Sequence, residues 1–314
     1  MSAALREYLM IVEESAYKTA VGSPTIWTTG TSYGLSNYQG LFVRLDGGNA
    51  FTMRARPSMV YTPVGGGLAI NAYAVSDKIA ITGQLTTKLC VGQAPLLLSW
   101  AAVRGVVSTS PWVSTEPTGD LLSCSVYHAI VAPSGTTKKL LYTGVKVNSW
   151  SIAVSEASTV ATLTLNLTAS DFAGNTYDSS SDPTSAFPAP ADNNFPIDPY
   201  LFIHLGSATK VGGTTRSAIT DLTLASTNSF ESRFYTSRFL DHMHFTGRDT
   251  TATAKIAYSL SPDDRTTYYS VTSEAAEVIL NNGTHSVTID LKAQNVYDPI
   301  EDDLPLNDLY MMNQ

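Results

Sequence analysis

Charge is what this sequence lacks most. Only 15% of its 314 residues are charged, against about 25% in an average globular domain. The balance is −8, with 19 lysines and arginines, which excludes a grip on nucleic acid through neutralised phosphates. An acidic or neutral wall that DNA slides past stays compatible. Cysteine is nearly absent. Cys90 and Cys124 both lie in apolar stretches and read as two buried free thiols in a reducing compartment rather than a disulfide. No stretch approaches the roughly 18 apolar residues needed to cross a bilayer, and the first apolar run is broken early by Arg6 and Glu7. Without a secretory signal, the sequons at Asn166 and Asn282 read as chance matches.

Thr, Ser, Ala, Tyr and Val fill the space that charge leaves, a composition that favours strands. Low charge also points to a surface partly covered by neighbouring subunits. The clearest pattern runs from Gly144 to Asp171. Leu163, Leu165 and Leu167 alternate with Thr162, Thr164, Asn166 and Thr168, the signature of a half-buried antiparallel strand. Trp150, Ile152 and Val154 form a preceding strand. Val145 and Val147 are out of phase with that trio, which predicts a bulge around Asn148 and Ser149.

Further strands are predicted at Tyr8 to Val12, Ile79 to Leu89, Ser123 to Val131 and Lys139 to Val147. Leu41 to Leu45 and Phe51 to Arg56, around Asp46-Gly47-Gly48-Asn49, read as a hairpin. Later strands are predicted at Leu201 to Leu205, Ile219 to Ala225, Phe239 to Phe245 and Thr253 to Leu260. A last hairpin joins Val278–Leu280 to Val287, Ile289 and Leu291 through Asn281-Asn282-Gly283. One helix is expected, opened by Pro95, closed by Gly105, and burying the face of Leu97, Leu98, Ala101 and Ala102 on a sheet. Residues 171 to 199 carry five prolines and no basic residue, so they read as a linker or a functional loop.

Residues able to do chemistry are scattered. Gly30-Thr31-Ser32-Tyr33-Gly34 has the spacing of a nucleophile elbow, but no helical period follows it as that motif requires. His242 and His244 would project from one face of a strand and could ligate zinc, yet a third ligand is needed. His128, His204 and His285 lie elsewhere and no Cys is near in sequence, so satisfied surface histidines are the better reading. Asp263-Asp264 after Pro262 reads as a turn. Gly65-Gly66-Gly67 lacks the Lys-Ser/Thr of a phosphate loop. No enzyme and no cofactor is expected.

Three stretches resemble a known family. Glu14-Ser15-Ala16-Tyr17 through Gly22-Ser23-Pro24 resembles the opening of phage tail tube proteins, the major tail proteins of long-tailed bacteriophages, with the glycine displaced. Thr82-Gly83-Gln84-Leu85 and the Pro95 helix resemble that family's strand-then-helix block. Tyr142-Thr143-Gly144-Val145-Lys146-Val147-Asn148-Ser149, followed by paired strands, resembles its most specific signature.

The resemblance implies a mainly β fold, a tail-tube-type β-sandwich or barrel with a flanking α-helix. Units join sheet edge to sheet edge in rings that stack into a tube, which removes exposed edges by closure. A single unit needs about 150 residues. The chain is therefore expected to hold two tandem copies, at 1–175 and 200–314, joined by a Pro/Asp-rich segment at 176–199. Three chains would then make a pseudo-hexameric ring, with six single-fold chains as the alternative.

The implied role is a structural virion protein that conducts DNA during ejection without specific binding. Its partners would be itself, the tape measure, terminator and baseplate proteins, and a sheath if one is present. It would be assembled in the host bacterial cytoplasm. Candidate ring contacts or lumen residues are Asp178, Asp182, Asp192, Asp198, Glu301, Asp302 and Asp303, for which a solvated loop and tail are the plain alternative. A receptor-binding, decoration or baseplate β-sandwich that does not polymerise is the competing role.

Overall fold

The computed structural model describes residues 6–20, 40–43, 45, 50–62, 72–90, 92–102, 120–131, 137–155, 158–173, 209–211, 214–216, 219–257, 274–281, 286–295, 301–303 and 311–313. Strand β6 (Thr137–Ser155) organises them. Its first half pairs antiparallel with β5 (Cys124–Val131), which in turn pairs with β1 (Arg6–Glu13). Beyond β1 lies β2 (Gly40–Val43). The second half of β6 pairs on one side with β7 (Ser158–Ala169) and on the other with β11 (Ile219–Arg233). From β7 the sheet continues through β4 (Ala72–Lys88) to β3 (Phe51–Thr62); from β11 it continues to β12 (His242–Ala257). Two short strands, β15 (Glu301–Asp303) and β16 (Met311–Asn313), finish that side, and β8 (Asp171–Ala173) pairs with β6.

Two irregularities let one strand serve both halves. Gly144 has φ of 60°, left-handed backbone that glycine adopts without a Cβ penalty. A Cβ there would stand 2.8 Å from the Ser170 hydroxyl. Next, the pairing of β6 with β7 slips between Val147 and Ser149, where the change of phase in the sequence places it. The Asn228 side chain from β11 donates to the Val147 carbonyl at 2.8 Å and to the Ala101 carbonyl at 3.0 Å, so one amide satisfies the bulge and a helix end.

That helix is α1 (Ala94–Ala102). It is buried on every side from Ala94 to Ala101, rather than on one leucine face as its spacing predicts. A nine-residue segment that is apolar all round has no solvent face to keep. Its polar groups are answered internally. Trp100 donates its indole N–H to the Val145 carbonyl at 2.9 Å, and Ser99 donates to the Pro95 carbonyl at 2.7 Å. Gly105 lies outside the described residues.

The main core collects Leu9, Ile11, Leu41 and Val43 from one half of the sheet. Leu85, Leu163, Leu165, Leu167, Leu222 and Leu224 come from the other, with the helix between. A smaller cluster of Met10, Val12, Phe42, Tyr127, Ala129 and Leu141 lies on the opposite face of β1, β2 and β5. These strands are therefore buried on both faces, which corrects the hairpin read at residues 41–56. Among the described residues β2 pairs with β1 and β3 with β4. Leu41 and Val43 enter one core and Phe42 the other, so burial and not chain proximity chooses the partner.

A second correction concerns Phe239 to Leu260. The two predicted strands are one, since β12 runs unbroken through Thr246-Gly247-Arg248-Asp249. The final hairpin is present as expected, between β13 (Glu274–Asn281) and β14 (Ser286–Asn295), with Val278 opposite Ile289, Leu280 opposite Val287 and Asn281 opposite Ser286. It forms a separate four-stranded sheet with β9 (Thr209–Val211) and β10 (Thr214–Arg216). Val278 and Leu280 close the main core. The fold is mainly β with one helix among the described residues and a large antiparallel sheet. Strands from both sides of 176–199 share that sheet, since β11 pairs directly with β6.

Candidate functional site

The outer face of β4, β7, β6 and β11 runs across four adjacent strands of the large sheet. Alternation decides its composition, because the residues between buried leucines must point away from the core. On β4 they are Thr82, Gln84 and Thr86, and on β7 Thr164 and Asn166. On β6 they are Ser149, Ser151 and Ala153, and on β11 Thr223, Ala225 and Thr227. All are exposed or half-buried and none is charged, while Lys88 on β4 and Asp221 on β11, both half-buried, continue the same alternation at the strand ends. Their side chains bond across the strands. Gln84 Nε2 donates to Asn166 Oδ1 at 3.1 Å, and Asn166 Nδ2 donates to Ser149 Oγ at 2.8 Å. The middle of the face is thus polar, uncharged and partly self-satisfied.

Charge returns at its margins. Arg54 and Arg56 on β3 are exposed on the same face, and Asp249 is exposed on β12 at the other side. A shallow open depression between Arg54, Arg56, Thr82, Asn148 and Asn166 lies at the arginine margin. Gly83 sits at its floor because β3 passes close, and a Cβ would collide with the Thr52 carbonyl.

Buried polar groups gather where β6 changes partners. Glu14 is 6% exposed and accepts from the Gly144 N–H at 2.9 Å, the Lys18 N–H at 3.0 Å and the Ser125 hydroxyl at 2.8 Å. It ties the end of β1 to the left-handed turn. Next to it Tyr17 is hydrogen-bonded to Ser170, and burial drives its phenol pKa far up, with the Glu14 charge adding to the shift. Lys146 is 2% exposed. It donates to the Met243 carbonyl at 2.6 Å and sits over the Tyr17 and Phe230 rings. Burial pulls its pKa down, and Asp120 offsets part of that loss.

Asp120 is the residue sequence reading missed. Burial alone would raise its carboxyl pKa. The Phe245 N–H and the charges of Lys146, His244 and His242 outweigh burial and hold it low. Its Oδ1 accepts from Phe245 at 2.8 Å and lies 3.5 Å from Lys146 Nζ. Its Oδ2 faces the histidine pair, 3.5 Å from His242 Nε2 and 3.8 Å from His244 Nδ1. The pair does share one face of its strand, and the third group comes from the segment before β5, where no local spacing could announce it.

Other candidates fall in different places. Asp178, Asp182, Asp192 and Asp198 lie outside the described residues, as do Ser32, the Gly65–Gly67 run and the Asp263–Asp264 turn. Glu301, Asp302 and Asp303 form β15, paired through β16 to the edge of the large sheet. Cys90 and Cys124 are buried and not joined in a disulfide. His128 is bonded to Glu7 at 2.7 Å. No helix among the described residues is long and apolar enough to cross a membrane.

No curated protein matches the chain. A family profile described as phage tail tube protein matches residues 4–307, nearly its whole length. That family is structural and not enzymatic, which agrees with a surface built of hydroxyls and amides rather than of acids and bases. Its members are components of the virion tail. By this match and by its mainly β fold, the chain belongs to the phage tail tube protein family.

Proposed function

We propose that the protein polymerises into stacked rings forming a hollow tube that conducts DNA during ejection. In this reading the outer face of β4, β7, β6 and β11 lines the lumen. The observation that carries it is the missing charge across the middle of that face, with Lys88 and Asp221 only at the strand ends. Duplex DNA carries about one negative charge per 1.7 Å of axis, so a basic wall would hold it and slow its passage. A strongly acidic wall would oppose its entry. Threonine, serine, asparagine and glutamine wet the wall and do neither.

The margins support a head-to-tail ring. Arg54 and Arg56 lie toward one side of the face and Asp249 toward the other, so successive copies bring opposite charges together in a heterologous contact. Among the described residues β3 pairs only with β4. Its outer edge is the place for a neighbour to continue the sheet.

The acidic segments, Asp178 to Asp198 and Glu301 to Asp303, are proposed as ring-to-ring contacts. Tape measure, terminator and baseplate proteins are proposed as partners at the tube ends, with assembly in the host bacterial cytoplasm. Two tail-tube-like units per chain, and three chains per ring, follow from chain length and are proposed on that ground.

Electron microscopy of the concentrated full chain tests the reading. Hollow filaments with a lumen of DNA width are expected, and their symmetry separates three chains from six. Discrete oligomers in the presence of the tail's initiating complex would overturn polymerisation and favour a receptor-binding or decoration role.

A further inference from the structure

The Asp120, His242 and His244 cluster uses none of the side chains assigned to the proposed lumen face. We propose that these three side chains form a binding site for one divalent transition-metal ion of the zinc class. Their candidate ligand atoms all lie within 4.8 Å of one another. The spacing decides between two explanations. At 3.5 and 3.8 Å the imidazole nitrogens are too far from the carboxylate for good direct hydrogen bonds, which fall near 2.7–3.2 Å. Ligands held at about 2.0–2.2 Å around a tetrahedral zinc stand roughly 3.3–3.5 Å apart. Both gaps exceed a good direct hydrogen bond; the 3.5 Å gap matches an intervening ion and the 3.8 Å gap lies a few tenths of an ångström beyond that match.

The surroundings prepare the donors. Asp120 divides its oxygens, with Oδ1 held by the Phe245 N–H and near the Lys146 ammonium and Oδ2 turned to the histidines. Such outer hydrogen bonds fix a ligating carboxylate. Tyr17 packs edge-on against His242 at 4.9 Å and restrains that ring. The Lys146 charge opposes a cation, but its ammonium is held by the Met243 carbonyl at 2.6 Å and stands nearer Oδ1 than Oδ2 in its one ion pair with Asp120.

Two imidazoles and one carboxylate suit zinc, nickel, cobalt or copper and not magnesium or calcium, which prefer all-oxygen shells. His244 is about half exposed, so a fourth position is open to water or to a donor from another copy. The bound ion would pin the segment before β5 to the start of β12.

The test is titration of the full chain with Zn2+ against a chromophoric chelator. One tight equivalent is expected, with millimolar Mg2+ or Ca2+ failing to compete. H244A and D120N should each weaken binding by about tenfold or more, and Zn2+ should raise the Tm of the wild type but not of H244A. Binding that is absent, or undiminished in both variants, would overturn the site. Electron paramagnetic resonance of Cu2+ on the unmodified protein covers variants that fail to fold. Coupling to two imidazole nitrogens supports the site, and coupling to none or one contradicts it.

Discussion

Strand β7 presents two surfaces that answer to different demands. On one, Leu163, Leu165 and Leu167 are essentially inaccessible and meet leucines from β4 and β11. On the other, Thr162, Thr164, Asn166 and Thr168 touch cross-strand neighbours and solvent. The inner face is fixed by folding, because apolar area must leave water and interiors admit few voids. The outer face is not. Strand preference explains its threonines but not why lysine and glutamate, usual on solvated sheets, are missing from the middle of this face, between Thr82 and Thr86 on β4 and between Thr223 and Thr227 on β11. A feature that folding does not require, spread over so much surface, belongs to function.

Substitution should expose this difference. The largest effect is expected on the inner face, where Leu165→Ala removes a fully buried side chain. It should cost about 2–5 kcal/mol in denaturant unfolding, and a loss under 1 kcal/mol would mean that this face is not packed as described.

Glu14→Ala should come next, at about 3 kcal/mol. It strands the Gly144 N–H and the Ser125 hydroxyl, both buried. Glu14→Gln should restore part of the loss, because the amide oxygen still accepts while its charge is gone.

A smaller effect depends on pH. Burial lowers the His128 pKa despite the opposing bond to Glu7. The unfolded chain therefore binds more protons than the folded one below the ordinary histidine value of about 6.5. Stability contributed by neutral His128 is present above that value and falls as pH drops through it. Subtracting the profile of His128→Gln should isolate this fall, and two parallel profiles would count against the lowered pKa.

The least effect on stability belongs to the outer face. Asn166→Ala and Thr164→Ala should each change unfolding by under about 0.5 kcal/mol. The paired change of Thr164 and Asn166 to lysine should likewise leave the chain folded. In assembled particles it should slow DNA ejection, with relief as salt rises. A large stability loss from either alanine would erase the distinction between the two faces.

Much of this was legible in the sequence because alternation survives wherever one face is buried and the other wet. Strand β7, the bulge at Asn148 and the two strands of the last hairpin all follow from period and turn residues. Legibility fails where both faces are buried. Phe42 looks like part of a half-exposed hairpin until the second cluster claims it, and α1 loses its amphipathic mark because no side of it meets water. It also fails in the middle of β12, where Gly247 and Asp249 look like a break yet lie in an edge region that tolerates them. Asp120 could not be matched to His242 and His244, because tertiary contact carries no local period. The family's strand-and-helix motifs remained readable because they sit at such constrained places, as Gly144 and Gly83 do.

A reconstruction of the tube at side-chain resolution tests the central claim most directly. The account predicts that Thr82, Thr164, Asn166, Ser151 and Thr223 face the axis, with Leu163 and Leu165 on the far side of the same strands. The same side chains turned to the outer surface, or buried between rings, would contradict it.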